Sequence, residues 1–240
     1  MIVLLTDFGV ADVYVGVMKG VIATLAPGLP VVDLSHGVPP QDVLAGALWL
    51  DASWRHFPAG TTFVVIVDPG VGTSRRALAV RSAGHWFVGP DNGLFSLVPE
   101  GTAYVLPGAW ALPSPSNTFH GRDIFAPAAA RLATGGNPDS EVPWNSLVSL
   151  HIPAPDGPRG EVLWVDGYGN LVTNLIDPAT DGVKVGTRSA RRVTTYGAGS
   201  PGELVVLTGS TGRLEVSVVG GNAAQDLGVG RGAPVVAVLP

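Results

Sequence analysis

Apolar and polar positions follow two different rhythms along this chain. In the first half, short β-branched runs take turns with longer stretches of helical period. Ile2 to Thr6 is an unbroken run of the kind buried on both faces of a parallel sheet, and it ends at Asp7-Phe8-Gly9. Asp12 stands in an N-cap position, and Val13 to Leu25 reads as a helix closed by Pro27-Gly28. Val31-Val32 is a second strand, ending at Asp33. Gln41 to Ser53 reads as a helix, with Leu44, Ala47, Leu48 and Asp51 spaced by threes and fours. Thr62 to Val67 is the clearest buried strand and ends at Asp68-Pro69-Gly70. Ala77 to Arg81 and Trp86 to Val88 are short strands. Phe125 to Leu132 is a helix that tolerates Pro127 only in its first turn. Strands alternating with helices predict an α/β unit whose mostly parallel sheet is sandwiched by helices.

The second half loses that rhythm. Residues 135–160 carry Gly135-Gly136, five prolines and little periodicity, the composition of a linker. Short strand candidates follow at Glu161 to Val165, Leu171 to Leu175, Leu204 to Leu207, Leu214 to Val219 and Val235 to Leu239, separated by glycine-rich turns. That spacing predicts a smaller all-β, barrel-like domain. The expected domains are therefore 1–150, α/β, and 151–240, β.

Composition narrows the function. Apolar residues make up 46% of the 240, enough for a substantial core, and charged residues only 14%. Net charge is −5 and no basic patch is evident, which argues against a nucleic-acid partner. Without cysteine there is no disulfide, no thiolate nucleophile and no Cys-ligated metal. Met1 to Thr6 is too short for a signal segment, and no apolar run reaches the roughly 18 residues that a membrane helix needs. The expectation is a cytoplasmic protein without a membrane partner.

Three acids, Asp7, Asp33 and Asp68, stand where apolar strands end, and open α/β sheets bind ligands beyond the carboxyl ends of their strands. They either converge on one crevice or serve as ordinary turn residues. The glycine-rich run from Asp68 to Arg76 lacks the third glycine of a dinucleotide fingerprint and the lysine of a phosphate loop. It is read instead as folding Arg75 back to Asp68, as a functional group or a structural ion pair. In Thr118-Phe119-His120-Gly121-Arg122-Asp123, His120 is a candidate proton handler and Asp123 a candidate helix cap. In Asp166-Gly167-Tyr168-Gly169-Asn170, an aromatic and an amide are suited to a purine, or simply form a turn. No HExxH, paired histidines or GxSxG occurs, and Ser210 in Thr208-Gly209-Ser210-Thr211-Gly212 lacks nucleophile-elbow spacing.

These clusters form a familiar series. LLTDFG followed by Asp12, then VDLSHGVPPQD, VDPGVGTSRR, GPDNGLF, TFHGRDIFAPAAA, DGYGNLVTNL and GSTGRLEVSVVGGNAAQDLGVGRGAPV run in that order through nearly the whole chain. The sequence resembles the adenosine-forming S-adenosyl-L-methionine (SAM) hydrolases, or SAM hydroxide adenosyltransferases, relatives of the SAM-dependent fluorinase and chlorinase. The resemblance implies an N-terminal α/β and a C-terminal β domain. It implies trimers, with SAM between one subunit's N-domain and its neighbour's C-domain. The reaction it implies is attack of water on the ribose C5′, giving adenosine and methionine, with SAM as substrate and neither metal nor cofactor. It assigns Asp68, Arg75 and His120 to catalysis, and Asp7, with Phe8 beside it, to the ribose. Phe119, Tyr168 and Asn170 fall around the adenine. Asp12, Asp166, Ser210 and Glu215 fall near the methionine, and Val218 and Ala223 border backbone contacts to the adenine. The halogenases lack the histidine and present a hydroxyl residue where Gly121 stands, so water is the expected nucleophile. The alternatives are a non-catalytic SAM or adenosine binder, or a SAM-dependent halogenase. Whether Asp68 or His120 takes the proton is not legible at this level.

Overall fold

The computed structural model describes residues 1–176 and 179–238. It comprises two compact units, Met1–Leu150 and His151–Pro240.

The first unit is a seven-stranded sheet with helices on both faces. Its elements are β1 (Ile2–Thr6), α1 (Tyr14–Leu25), β2 (Val31–Ser35), α2 (Val43–Ser53), β3 (Thr62–Ile66), β4 (Ala77–Ser82), β5 (His85–Pro90), β6 (Thr102–Val105), α3 (Ala126–Ala133) and β7 (Ser140–Val142), in the sheet order β2-β1-β3-β5-β4-β6-β7. The period of two decides which core each residue joins. Ile2, Leu4, Val64 and Ile66 pack with Met18 and Ile22 of α1 and Ala128 and Ala129 of α3. Val3, Leu5, Phe63 and Val65 face the opposite way, onto Ala45 and Leu50 of α2 and Trp54. Both faces of β1 and β3 are thus covered, which is why these strands read as continuous apolar runs.

The sheet is mixed rather than mostly parallel. β2, β1, β3 and β5 run parallel, whereas β5, β4, β6 and β7 pair antiparallel. The cause is local. Ser82 pairs with His85, leaving a two-residue turn of Ala83 (φ 47°) and Gly84 (φ 81°), and positive φ at both centres is the tight hairpin that reverses a strand. Asp12 is not the N-cap of α1. Val13 takes that place in an already helical conformation with no side-chain bond, and Asp12 stays exposed on the preceding bend. α2 begins later than its pattern, at Val43, because the Asp42 side chain accepts the Ala45 N–H and starts the helix there. The supposed linker also divides. Residues 140–150 belong to the first unit through β7 and through Asp91, which accepts from Arg76 and from the Val148 N–H.

The second unit closes on itself. β8 (Arg159–Val165), β9 (Leu171–Ile176), β10 (Gly182–Val185), β11 (Arg188–Arg192), β12 (Leu204–Thr208), β13 (Arg213–Val218) and β14 (Pro234–Val238) form a barrel in the order β10-β11-β12-β13-β9-β8-β14. Of the expected strand Val235 to Leu239, Leu239 lies outside the described residues. β10 and β11 were not apparent in the sequence, because β11 is Arg-Ser-Ala-Arg-Arg and sends only Ala190 inward to the barrel core. A short α4 (Ala223–Leu227) begins where Asn222 accepts the Gln225 N–H and stops at Gly228, φ 64°.

Candidate active site

Parallel pairing of β1 with β3 aligns Thr6 with Ile66, so the residues after each strand emerge side by side. Asp7 and Asp68 therefore both line one cavity of about 590 Å³, with Phe8, Phe119 and His120. Asp33 does not join them. It pairs with Leu4, inside β2 rather than beyond its end, and its carboxylate meets Lys19 at 2.6 Å. Two of the three strand-end acids converge, not three.

The loop after β3 folds Arg75 onto Asp68. Arg75 Nε donates to Asp68 Oδ1 at 2.7 Å and Nη2 pairs with Oδ2, the bidentate geometry for which a guanidinium is suited. Both side chains are buried, and the guanidinium lies 5.3 Å over the Phe125 ring. Gly72 makes the fold possible. Its φ is 78°, and a Cβ there would sit 2.3 Å from the Asn117 carbonyl oxygen, so this loop and the 112–119 loop touch backbone to backbone.

Arg75 also reaches His120, with Nη2 2.8 Å from Nδ1. A guanidinium has no acceptor, so Nδ1 must accept and the neutral ring carries its proton on Nε2. Burial, then the neighbouring Arg75 charge, holds the His120 imidazole below its ordinary value, although Asp68 and Asp123 pull the other way. The ring is therefore neutral at pH 7. His120 stands at the mouth of a π-type turn, Gly121–Phe125, that runs into α3. Asp123 does not cap α3. It takes both Arg122 nitrogens, at 2.6 and 2.8 Å, and the Ser116 N–H. A Cβ on Gly121 would lie 3.2 Å from Met18 Sδ and Phe119 and 3.3 Å from Phe8, so this position has little room for a side chain.

Asp7 Oδ2 accepts the N–H of Gln41, which lines the same cavity with φ 64°. Gln41 was not singled out in the sequence, since it acts through its peptide nitrogen. Tyr14 was missed as well. It stacks edge-on against Phe119 at 5.1 Å in the same wall. Asp12 lies outside this lining.

The β unit has its own cavity, of about 870 Å³. Asp166, Tyr168, Asn170, Ser210, Glu215 and Val218 all line it, while Ala223 is buried in α4. Asp166 holds its own turn: Oδ1 accepts the N–H of Tyr168 and of Asn170, and Oδ2 accepts the Asn170 amide, each at 2.9 Å. This fixes Asn170 and leaves Tyr168 82% exposed. Tyr196 was missed. Its hydroxyl donates to Glu215 on β13, and burial, then that carboxylate, pushes the phenol well above its ordinary range.

The SAM hydroxide adenosyltransferase N-terminal domain matches residues 2–141, and the corresponding C-terminal domain matches residues 160–236. The chain belongs to the SAM hydroxide adenosyltransferase family. Among its relatives in that family is the (R)-S-adenosyl-L-methionine hydrolase of Thermus thermophilus, 45% identical over 96% of each chain. The enzyme of the same name from Salinispora tropica is 42% identical over 93% of this chain and 92% of its own. More distant family relatives are fluorinases, one from Actinoplanes at 30% identity over 73% of this chain and 71% of its own. A solved structure of an uncharacterized conserved protein from Thermotoga maritima superposes with a TM-score of 0.89 at 34% identity, covering 98% of this chain and 99% of that one. Among the described residues, no helix is long and apolar enough to cross a membrane. Nor do three or more His, Asp or Glu side chains gather there as a metal-binding group.

Proposed function

We propose that this protein hydrolyses SAM to adenosine and L-methionine. The observation that carries the reading is the Asp68–Arg75–His120 set in the wall of the N-terminal cavity. A purely binding protein has no use for a buried, bidentate acid–arginine pair joined to a neutral histidine. Water attacks C5′ as the C5′–S bond breaks, and the bonding pair leaves with sulfur to give a neutral thioether. A sulfonium leaves without protonation, so the protein has two tasks, to hold the water in line and to take its proton. His120 carries its hydrogen on Nε2, so it donates to the water and orients it. Asp68 is the group left to accept the proton, and Arg75 aligns both.

Asp7 holds the ribose hydroxyls, with Phe8 beside it. Phe119, Tyr168, Asn170 and Val218 receive the adenine. Asp166, Ser210 and Glu215 receive the methionine, with Asp12 at its margin. Subunits assemble as trimers in which the N-terminal cavity of one and the C-terminal cavity of its neighbour enclose one SAM. The crowding around Gly121 supports water over halide as nucleophile. The protein works in the cytoplasm, without metal or cofactor and without nucleic-acid or membrane partners.

Incubation of the purified protein with SAM, followed by chromatography, is expected to yield adenosine and methionine in equal amounts, with EDTA making no difference. Activity lost to EDTA and restored by zinc or magnesium overturns the metal-free mechanism. SAM binding without adenosine leaves a binding protein.

A further inference from the structure

Four polar side chains form a line behind the Asp7–Gly9 turn, outside the cavity lining. Lys19 on α1 lies 2.6 Å from Asp33 Oδ2. Asp33 Oδ1 lies 3.1 Å from His36 Nε2, an ion-pair contact whose alignment falls short of a hydrogen bond. His36 Nδ1 lies 2.9 Å from Thr6 Oγ1, and Thr6 Oγ1 accepts the Phe8 N–H at 3.2 Å. The His36 carbonyl accepts the Gly9 N–H at 2.8 Å. Thr6 and His36 are both buried, so bonds left unmade there go uncompensated by water.

Phe8 N–H donates to Thr6 Oγ1, the Thr6 hydroxyl and His36 Nδ1 share one hydrogen bond, and His36 Nε2 faces Asp33. Partial burial pushes the Asp33 carboxyl up, but the Lys19 hydrogen bond and the His36 contact outweigh it and hold the carboxyl below its ordinary value. Lys19 and Asp33 are themselves well exposed, and such a pair adds little stability on its own. What distinguishes the line is its inner end. The Thr6 hydroxyl holds the peptide nitrogen of Phe8 and the His36 backbone carbonyl that of Gly9, while the Gln41 N–H holds the Asp7 carboxylate from the other side.

We infer that Thr6 and His36 are positioning residues that set the pose of Asp7 toward the vicinal hydroxyls of a ribose. The inference rests on the reading of Asp7 given above. Thr6→Val is the principal test, because Val keeps the β-branched shape in a buried strand and removes only the hydroxyl. His36→Gln retains an acceptor and a donor, and His36→Leu removes both. Adenosine affinity by calorimetry, KM and kcat for SAM, and Tm would be measured for each, beside Asp7→Ala. Thr6→Val and His36→Leu are expected to raise the adenosine Kd and the KM roughly tenfold, about the effect of one lost buried hydrogen bond, with kcat changed less than about threefold. His36→Gln is expected to recover most of that affinity. If Asp7→Ala weakens adenosine while Thr6→Val and His36→Gln bind normally and only melt earlier, the line is structural and the inference is overturned. A fall in kcat at constant KM overturns it too. If Asp7→Ala binds normally, the Asp7 reading itself fails. Adenosine binding needs no turnover, so the comparison stands even without hydrolysis. Should His36→Leu not fold, Thr6→Val decides alone.

Discussion

The proposed mechanism gives Asp68, His120 and Asp7 different tasks, so their variants should fail differently. Asp68→Asn keeps the shape but loses the proton acceptor, so kcat should fall by about 10²–10⁴, the usual worth of a general base, with SAM affinity little changed. Asp7→Ala should do the reverse, weakening binding by roughly 1.5–3 kcal/mol for a lost charge-assisted bond. Steady-state kinetics with calorimetry separates the two. His120 adds a pH dependence. Protonation puts a hydrogen on Nδ1 against Arg75, so turnover should decline as pH falls below the ordinary imidazole value of 6.5, and His120→Ala should lose that acid limb. Stability should shift in the same direction. Burial lowers the His85 and His120 imidazoles, so between 6.5 and their folded values the unfolded chain binds protons first. Stability present above 6.5 is thus lost as pH drops through that window, which Tm between about pH 8 and 5 would show. Asp68 with Arg75 was legible in the sequence because the two lie on one glycine-rich loop. Gln41 and Tyr196 were not. The first contributes a backbone nitrogen, and the second is a lone aromatic whose partner, Glu215, is nineteen residues away.

At the scale of elements, glycines set the distances that the chemistry needs. Gly72→Ala would drive a Cβ into the Asn117 carbonyl at a φ that disfavours any side chain. The variant should lose roughly 1–3 kcal/mol of stability and, by parting the 68–75 loop from the 112–119 loop, lower kcat more than it raises KM. Denaturant melts and kinetics on the purified variant test both. The same scale shows what pattern can carry. β1 and β3 were legible because burial on both faces leaves a continuous apolar run, α1 because Val15, Met18 and Ile22 recur on one face, and α2 because it is a long apolar stretch. β6, β7 and β11 were not, because three or four residues, or a strand with three arginines in five, leave none. The antiparallel half of the sheet hinged on the positive φ of Ala83, which no hydrophobic pattern records.

At the scale of the whole molecule, the proposed trimer makes a simple demand. Asp68 lies in one unit and Asn170 in the other, so Asp68→Ala and Asn170→Ala subunits, each inactive alone, should regain some activity when refolded together. Light scattering would establish the hybrid size, and a hybrid trimer without recovery would sink the inter-subunit site. The closed barrel has a different consequence, for misassembly. A ring of strands offers no free edge to a stray chain. Among the described strands the exposed edges are β2 and β7, at the two ends of the N-terminal sheet. β2 carries the Asp33 carboxylate in mid-strand, with Lys19 alongside. β7 has only three residues, with Glu141 at its centre and Pro143 directly after it. Charge, brevity and proline are what keep an edge from templating a neighbour. The charge on β2 is the Lys19–Asp33 pair, the outer end of the line that runs behind the Asp7–Gly9 turn.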